Sequence, residues 1–181
     1  MPLYHTSPEE IKKIHGNGRF RPGLFFSSEP YYMSQKQDTH LYEYEPEDDE
    51  IIDASSFPYL EQDEYKKIQH IVKDAMNHMG VDEETALEFI SQNKNPESFY
   101  NDLENEINSM DEEDESYPKK KQVYNAWSKK DLGELGWDLQ REALKAANFL
   151  GKKGVALPDE TGISYLINLI GNEHKLKNHE K

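Results

Sequence analysis

The feature that leaves this chain fewest options is the distance between its strand-forming stretches. Short aromatic or β-branched runs fall at residues 3–6, 23–28, 41–45 and 51–54, and such runs return only at 155–157 and 163–170. Runs this short are not stable alone and must pair with other strands. The region between them has helical periodicity. Tyr65, Ile68, Val72, Ala75 and Met79 recur at helical spacing, as do Phe99, Leu103, Ile107 and Met110. The N- and C-terminal strands are therefore expected to meet in one core, giving an α+β fold. A length of 181 residues suits one domain, 1–181, with a helical insertion at about 61–134. There are no internal repeats.

Local signals divide the chain further. Ser7, Pro8 and Glu10 match an N-cap, a first-turn proline and a capping-box glutamate, predicting a helix that buries Ile11 and Ile14 and stops at Gly16. Ser28 is placed to cap a second short helix carrying Glu29, Pro30, Tyr31 and Tyr32. Gly80 is expected to stop the first long helix, Asp82 to cap the next, and Asn95 with Pro96 to start a third. Lys119–Lys121 flank a helix with Val123, Ala126 and Trp127. Gly136 is expected to break the pattern before a final helix over 137–150. Residues 158–162 then read as the acidic turn of a hairpin, with Ile163, Tyr165, Ile167 and Leu169 on one face of its second strand.

Charge narrows the partners. The formal net charge is −15, so nucleic acid is not the expected ligand unless a local basic patch intervenes, and a basic protein surface is. The absence of cysteine excludes disulfides, thiolate metal sites and cysteine nucleophiles. No apolar run is long enough to span a membrane, and no signal peptide precedes the first strand, so the expected location is the cytoplasm. His70, Asp74 and His78 share a helix face, but no clear fourth ligand accompanies them; a solvated face is expected and no metal.

The N-terminal stretch Tyr4-His5-Thr6-Ser7 places a histidine at a strand end before a helix signal. Strand ends of that kind present unpaired amides to anions. Taken alone, His5 reads as a half-buried histidine and Ser7 as a cap. Three other segments follow in order: Gly23-Leu24-Phe25-Phe26-Ser27-Ser28, the strands at 41–54, and the C-terminal hairpin.

This ordering resembles the ADP-ribosyltransferase superfamily, in its histidine branch. Within it the chain looks most like small phage-type transferases, including anti-CRISPR proteins, through Gly136-Trp137-Asp138-Leu139-Gln140-Arg141 and through Asp159-Glu160 before Gly162. The resemblance covers the first third and last quarter of the chain. It implies a split β-sheet core and NAD as co-substrate. It implies an NAD site of His5, Thr6, Phe26, Ser27, Ser28, Tyr31 and Tyr32, with Arg19 or Arg21 reaching the pyrophosphate. It implies mono-ADP-ribosylation of a target side chain, in the host cytoplasm if the chain is phage-encoded. Many members carry a catalytic glutamate at the start of the final strand. Here Ile163-Ser164-Tyr165 has no acid, so the expected catalytic carboxylate is Asp159, with Glu160 beside it. Two rivals remain: a transferase acting on nucleic acid, and a non-catalytic acidic protein that blocks a basic, nucleic-acid-binding surface.

Overall fold

The computed structural model describes residues 1–20, 22–31, 40–159 and 162–179; of Asp159 it describes the backbone only. Seven strands form one hydrogen-bonded sheet among these residues: β1 (Leu3–Ser7), β2 (Gly23–Ser27), β3 (His40–Tyr44), β4 (Ile51–Asp53), β5 (Gly154–Asp159), β6 (Gly162–Asn168) and β7 (Lys177–His179). Their order is β4-β5-β6-β2-β1-β3-β7. The central pairing, β2 with β6, joins the two ends of the chain as expected, with Gly23 opposite Asn168 and Ser27 opposite Ser164. Only β4 and β5 run parallel.

The helices follow their caps. Helix α1 (Gln62–Met79) stops where Gly80 takes a left-handed conformation, φ 67°. Asp82 caps α2 (Glu83–Ile90) through the Thr85 amide, and Asn95 caps α3 (Pro96–Ser109) through the Glu97 and Ser98 amides. Helix α4 (Tyr117–Trp127) is followed by α5 (Leu132–Phe149). No helix among the described residues is long and apolar enough to cross a membrane.

Both faces of the sheet are covered. On one, Val155, Leu157 and Leu166 pack with α1, α2, α5 and Trp127. On the other, Leu3, Phe26, Ile167 and Leu169 pack under Ile11, Ile14 and Leu176. This explains why Leu166, outside the alternating apolar face of β6, is also buried. Gly23 sits where α5 approaches β2: a β-carbon there would lie 2.7 Å from a Leu144 methyl and 2.6 Å from a Leu166 methyl.

Three expectations are corrected. Residues 28–31 form no helix: the Ser27 hydroxyl donates to the Glu29 carbonyl, and the Tyr31 carbonyl accepts from Thr6. Residues 8–15 form no helix. Ser7 donates to the Glu9 carbonyl, the Ile11 amide donates to the Tyr42 hydroxyl (2.6 Å), and the Ile14 amide donates to the Glu173 carboxylate (3.0 Å). Amides that a helix would turn inward are satisfied by side chains of distant segments, so Ile11 and Ile14 bury without helical turns. The last helix also begins earlier than expected. Asp131 caps it through the Glu134 amide, and Gly133 and Gly136 lie inside it. A helical glycine costs about 1 kcal/mol, and burial of Leu135 and Leu139 on the same turns offsets that.

One polar junction ties the sheet edge together. The Glu50 carboxylate accepts from the Tyr44 hydroxyl (2.5 Å), the Glu47 amide (3.0 Å) and the Lys153 and Lys175 ammonium groups. Burial opposes its ionisation, but these hydrogen bonds outweigh burial and hold its pKa at about 2. The resulting stabilisation is present above the unfolded carboxylate pKa of about 4.5 and lost as pH falls through about 2. Glu50→Gln is expected to lower unfolding free energy by about 2–3 kcal/mol at pH 7. Urea titrations at pH 7, 4 and 2.5 check this, for the gap from wild type should narrow with acid. A gap constant across that range would remove the linkage.

Candidate active site

His5 is placed by strand alternation. On β1, Leu3 and His5 face the side covered by Ile11 and Ile14, and Tyr4 and Thr6 face the opposite side. The His5 ring lies against Phe26, centroids 5.5 Å apart and tilted 48°. Its Nδ1 is 2.7 Å from the Phe25 carbonyl oxygen. A carbonyl only accepts, so Nδ1 carries the hydrogen and Nε2 is left as an acceptor. Burial lowers the imidazole pKa, against the opposing pull of the Phe25 carbonyl, so the ring is neutral at pH 7.

The other candidates divide between the faces. Thr6 is buried and its hydroxyl donates to the Tyr31 carbonyl. Burial raises the Tyr31 phenol pKa, partly countered by a backbone hydrogen bond with Thr6, so Tyr31 is a neutral phenol locked to β1. Ser27, opposite Tyr4 and hence on the Thr6 side, donates to the Glu29 carbonyl (2.5 Å). Ser28 is exposed. Tyr32, Arg21 and Glu160 lie outside the described residues, as does the Asp159 side chain.

The hairpin is placed by register. Asp159 pairs with Gly162 at the end of the β5–β6 ladder, and Ser164 pairs with Ser27. The Asp159–Gly162 pair therefore lies at the Ser27 end of β2, at the same end of the sheet as the start of β1. Three strand spacings separate β5 from β1, about 14 Å. His5 lies in the middle of β1, not at a strand end that runs into a helix.

Arg19 lies elsewhere. It precedes the Gly23 end of β2, about 10 Å along the strand from Phe26. Its guanidinium stacks on Trp137, 4.0 Å from the ring centroid, and bonds to Glu134 at 3.0 Å. Arg141 donates to the Arg19 carbonyl (2.5 Å) and pairs with Asp138. Arg19, Glu134 and Arg141 line a cleft of about 500 Å³ with Asn17 and Gly18. A second cleft, of about 530 Å³, runs along α4. Among the described residues no histidine or carboxylate cluster is placed to hold a metal, and His70 packs edge-on against Phe149 at 4.5 Å.

The Phe25 carbonyl was not legible as a site component, because a backbone atom leaves no residue signature. The reach of Tyr42 to the Ile11 amide was likewise hidden; only its position on a strand beside β1 pointed to it.

No family model matches the sequence, and no curated protein matches it. Among solved structures, the crystal structure of an anti-CRISPR protein is similar to this chain, with 24% identity and a TM-score of 0.49. That match covers 92% of this chain and 88% of the other.

Proposed function

We propose that this chain is an NAD-dependent mono-ADP-ribosyltransferase that modifies a side chain of a target protein with a basic surface. The observation that carries the reading is the His5 imidazole, pinned through Nδ1 to the Phe25 carbonyl and neutral, with Nε2 left as an acceptor. A ribose hydroxyl is a donor of the right kind for it. Ser28, exposed at the end of β2, adds a hydroxyl. The groups present are neutral donors and acceptors, which suit a sugar.

NAD supplies an activated glycosidic bond, and its cleavage passes through an oxocarbenium-like state as in glycoside hydrolysis. Asp159, at the turn beside β2, would supply the carboxylate that stabilises this cation. His5 would orient the sugar. A target that binds nucleic acid fits the net charge of −15. On the sequence resemblance, such a target would be a host defence complex. Incubation with labelled NAD and host lysate, read by intact-mass spectrometry, tests the activity. Label transferred to no protein would overturn it.

His5→Ala is expected to weaken NAD binding about five- to tenfold, the worth of one neutral hydrogen bond. Calorimetric titration checks this. Because protonation turns Nε2 into a donor, wild-type affinity should hold from pH 8 to 6.5 and fall only below. Equal affinity in a folded variant would take His5 out of the site.

One observation favours a second reading. The clefts at α4 and at Arg19 are lined by neither His5 nor Ser27. A non-catalytic protein that covers a basic surface needs no cleft there. Absence of NAD turnover together with tight target binding would select it.

A further inference from the structure

Helix α4 concentrates positive charge on an acidic chain. Five lysines, Lys119, Lys120, Lys121, Lys129 and Lys130, fall on it or just past its end, within a total of 21 lysines and arginines against 36 acids. Two are engaged: Lys120 pairs with Glu106, and Lys130 donates to the His78 carbonyl at 3.0 Å. Among the described residues Lys119, Lys121 and Lys129 form no ion pair with a carboxylate.

Lys121 and Lys129 line the cleft of about 530 Å³ together with Tyr117, Gln122 and Asn125. No acid lines it. Lys121 lies on α4 and Lys129 two residues past its end, the helix rising about 9 Å from Lys121 to Trp127. Gln122 and Asn125 place amide donors between them, and Tyr117 puts an aromatic ring at one end. Beside the groove, Lys121 lies 5.4 Å from the Tyr124 ring centroid, and Tyr124 stacks on Tyr100 at 5.5 Å and 8°. Lysines set beside the Tyr117 ring match a single nucleic-acid strand: the cations meet phosphates and the Tyr117 ring meets a base. An acidic peptide would use the lysines and leave the aromatic faces without a role.

We infer that the α4 groove binds single-stranded nucleic acid as a docking ligand, separate from the site of His5 and Asp159. The inference does not rest on transferase activity. The exposed acids at 111–115 flank the Tyr117 end and would repel further phosphates, so the bound stretch is short and enters from the Lys129 end.

The test is fluorescence anisotropy of a short labelled oligothymidine with the full chain, without NAD, across a salt series. Binding is expected to fall with salt. Lys121→Glu with Lys129→Glu should reduce affinity at least tenfold at low salt, and Lys121→Gln with Lys129→Gln should flatten the log–log salt slope by about 0.7 per lysine. Tyr117→Ala should cost about tenfold through lost stacking. All three side chains lie outside the buried core, and circular dichroism confirms the fold of each variant. Absence of wild-type binding at low salt would overturn the inference, as would variants that bind unchanged. Equal binding of polyglutamate, competing for the same groove, would overturn it in favour of an acidic peptide. Because NAD is absent, failure here and failure of the transferase reading are separate results.

Discussion

Asp159→Ala should slow ADP-ribose transfer about 10²- to 10³-fold while leaving NAD affinity within about twofold of wild type. A carboxylate that faces a developing cation acts in the transition state far more than in the ground state, so its loss appears in kcat. Removing one preorganised electrostatic partner typically lowers the rate about 10²- to 10³-fold. Asp159 ends β5, paired with Gly162, which holds its backbone in the ladder, and Glu160 follows in the turn. Adjacent turn residues point in different directions, so Glu160→Ala should keep most of the activity. Single-turnover transfer assays on both variants, with calorimetric NAD titration alongside, decide the matter. A dead Glu160→Ala beside an active Asp159→Ala would reverse the assignment.

The largest loss of stability is expected from Trp127→Ala. Trp127 is the single fully buried residue of α4. Its ring lies 4.6 Å from Phe99 and 5.6 Å from Phe89, and its indole N–H donates to the Met79 carbonyl at 3.0 Å. Truncation removes the aromatic contacts, leaves a cavity and strips the carbonyl of its donor, a loss of about 3–5 kcal/mol. Trp127→Phe keeps most of the packing and should lose about 1–2 kcal/mol, mainly the hydrogen bond. Urea unfolding of the three proteins measures both. If alanine were tolerated within about 1 kcal/mol, α4 would be held by other contacts. The same substitution should weaken oligonucleotide binding, because Trp127 anchors the helix that carries the lysines.

The fold was legible where short-range chemistry decides. Gly80, Asp82 and Asn95 set helix ends through their own side chains or backbone freedom, and each does so where the sequence placed it. The strands at both ends were legible from alternation, and their meeting from the lack of other partners. Residues 8–15 misled because a capping signature is local, whereas Tyr42 and Glu173, the groups that satisfy their amides, come from remote segments. The start of α5 misled because glycine is penalised by only about 1 kcal/mol, less than two buried leucines return. The candidate site was legible as residue types and not as geometry. Nothing in Tyr4-His5-Thr6 tells which neighbour on the next strand receives the imidazole N–H, and alternation sends His5 and Thr6 to opposite faces.

The pairing of β2 with β6 has a consequence for how the molecule is made. Gly23 emerges in synthesis long before its partner Asn168. The helices between them are built from local contacts and can form while the chain is still growing, whereas the sheet centre has to wait and then close a loop of nearly the whole sequence. Closure of so long a loop is slow, and until it happens the β2 edge that β6 will occupy has no partner. Chains interrupted before β6 should therefore hold a formed helical layer above an open, aggregation-prone N-terminal hairpin.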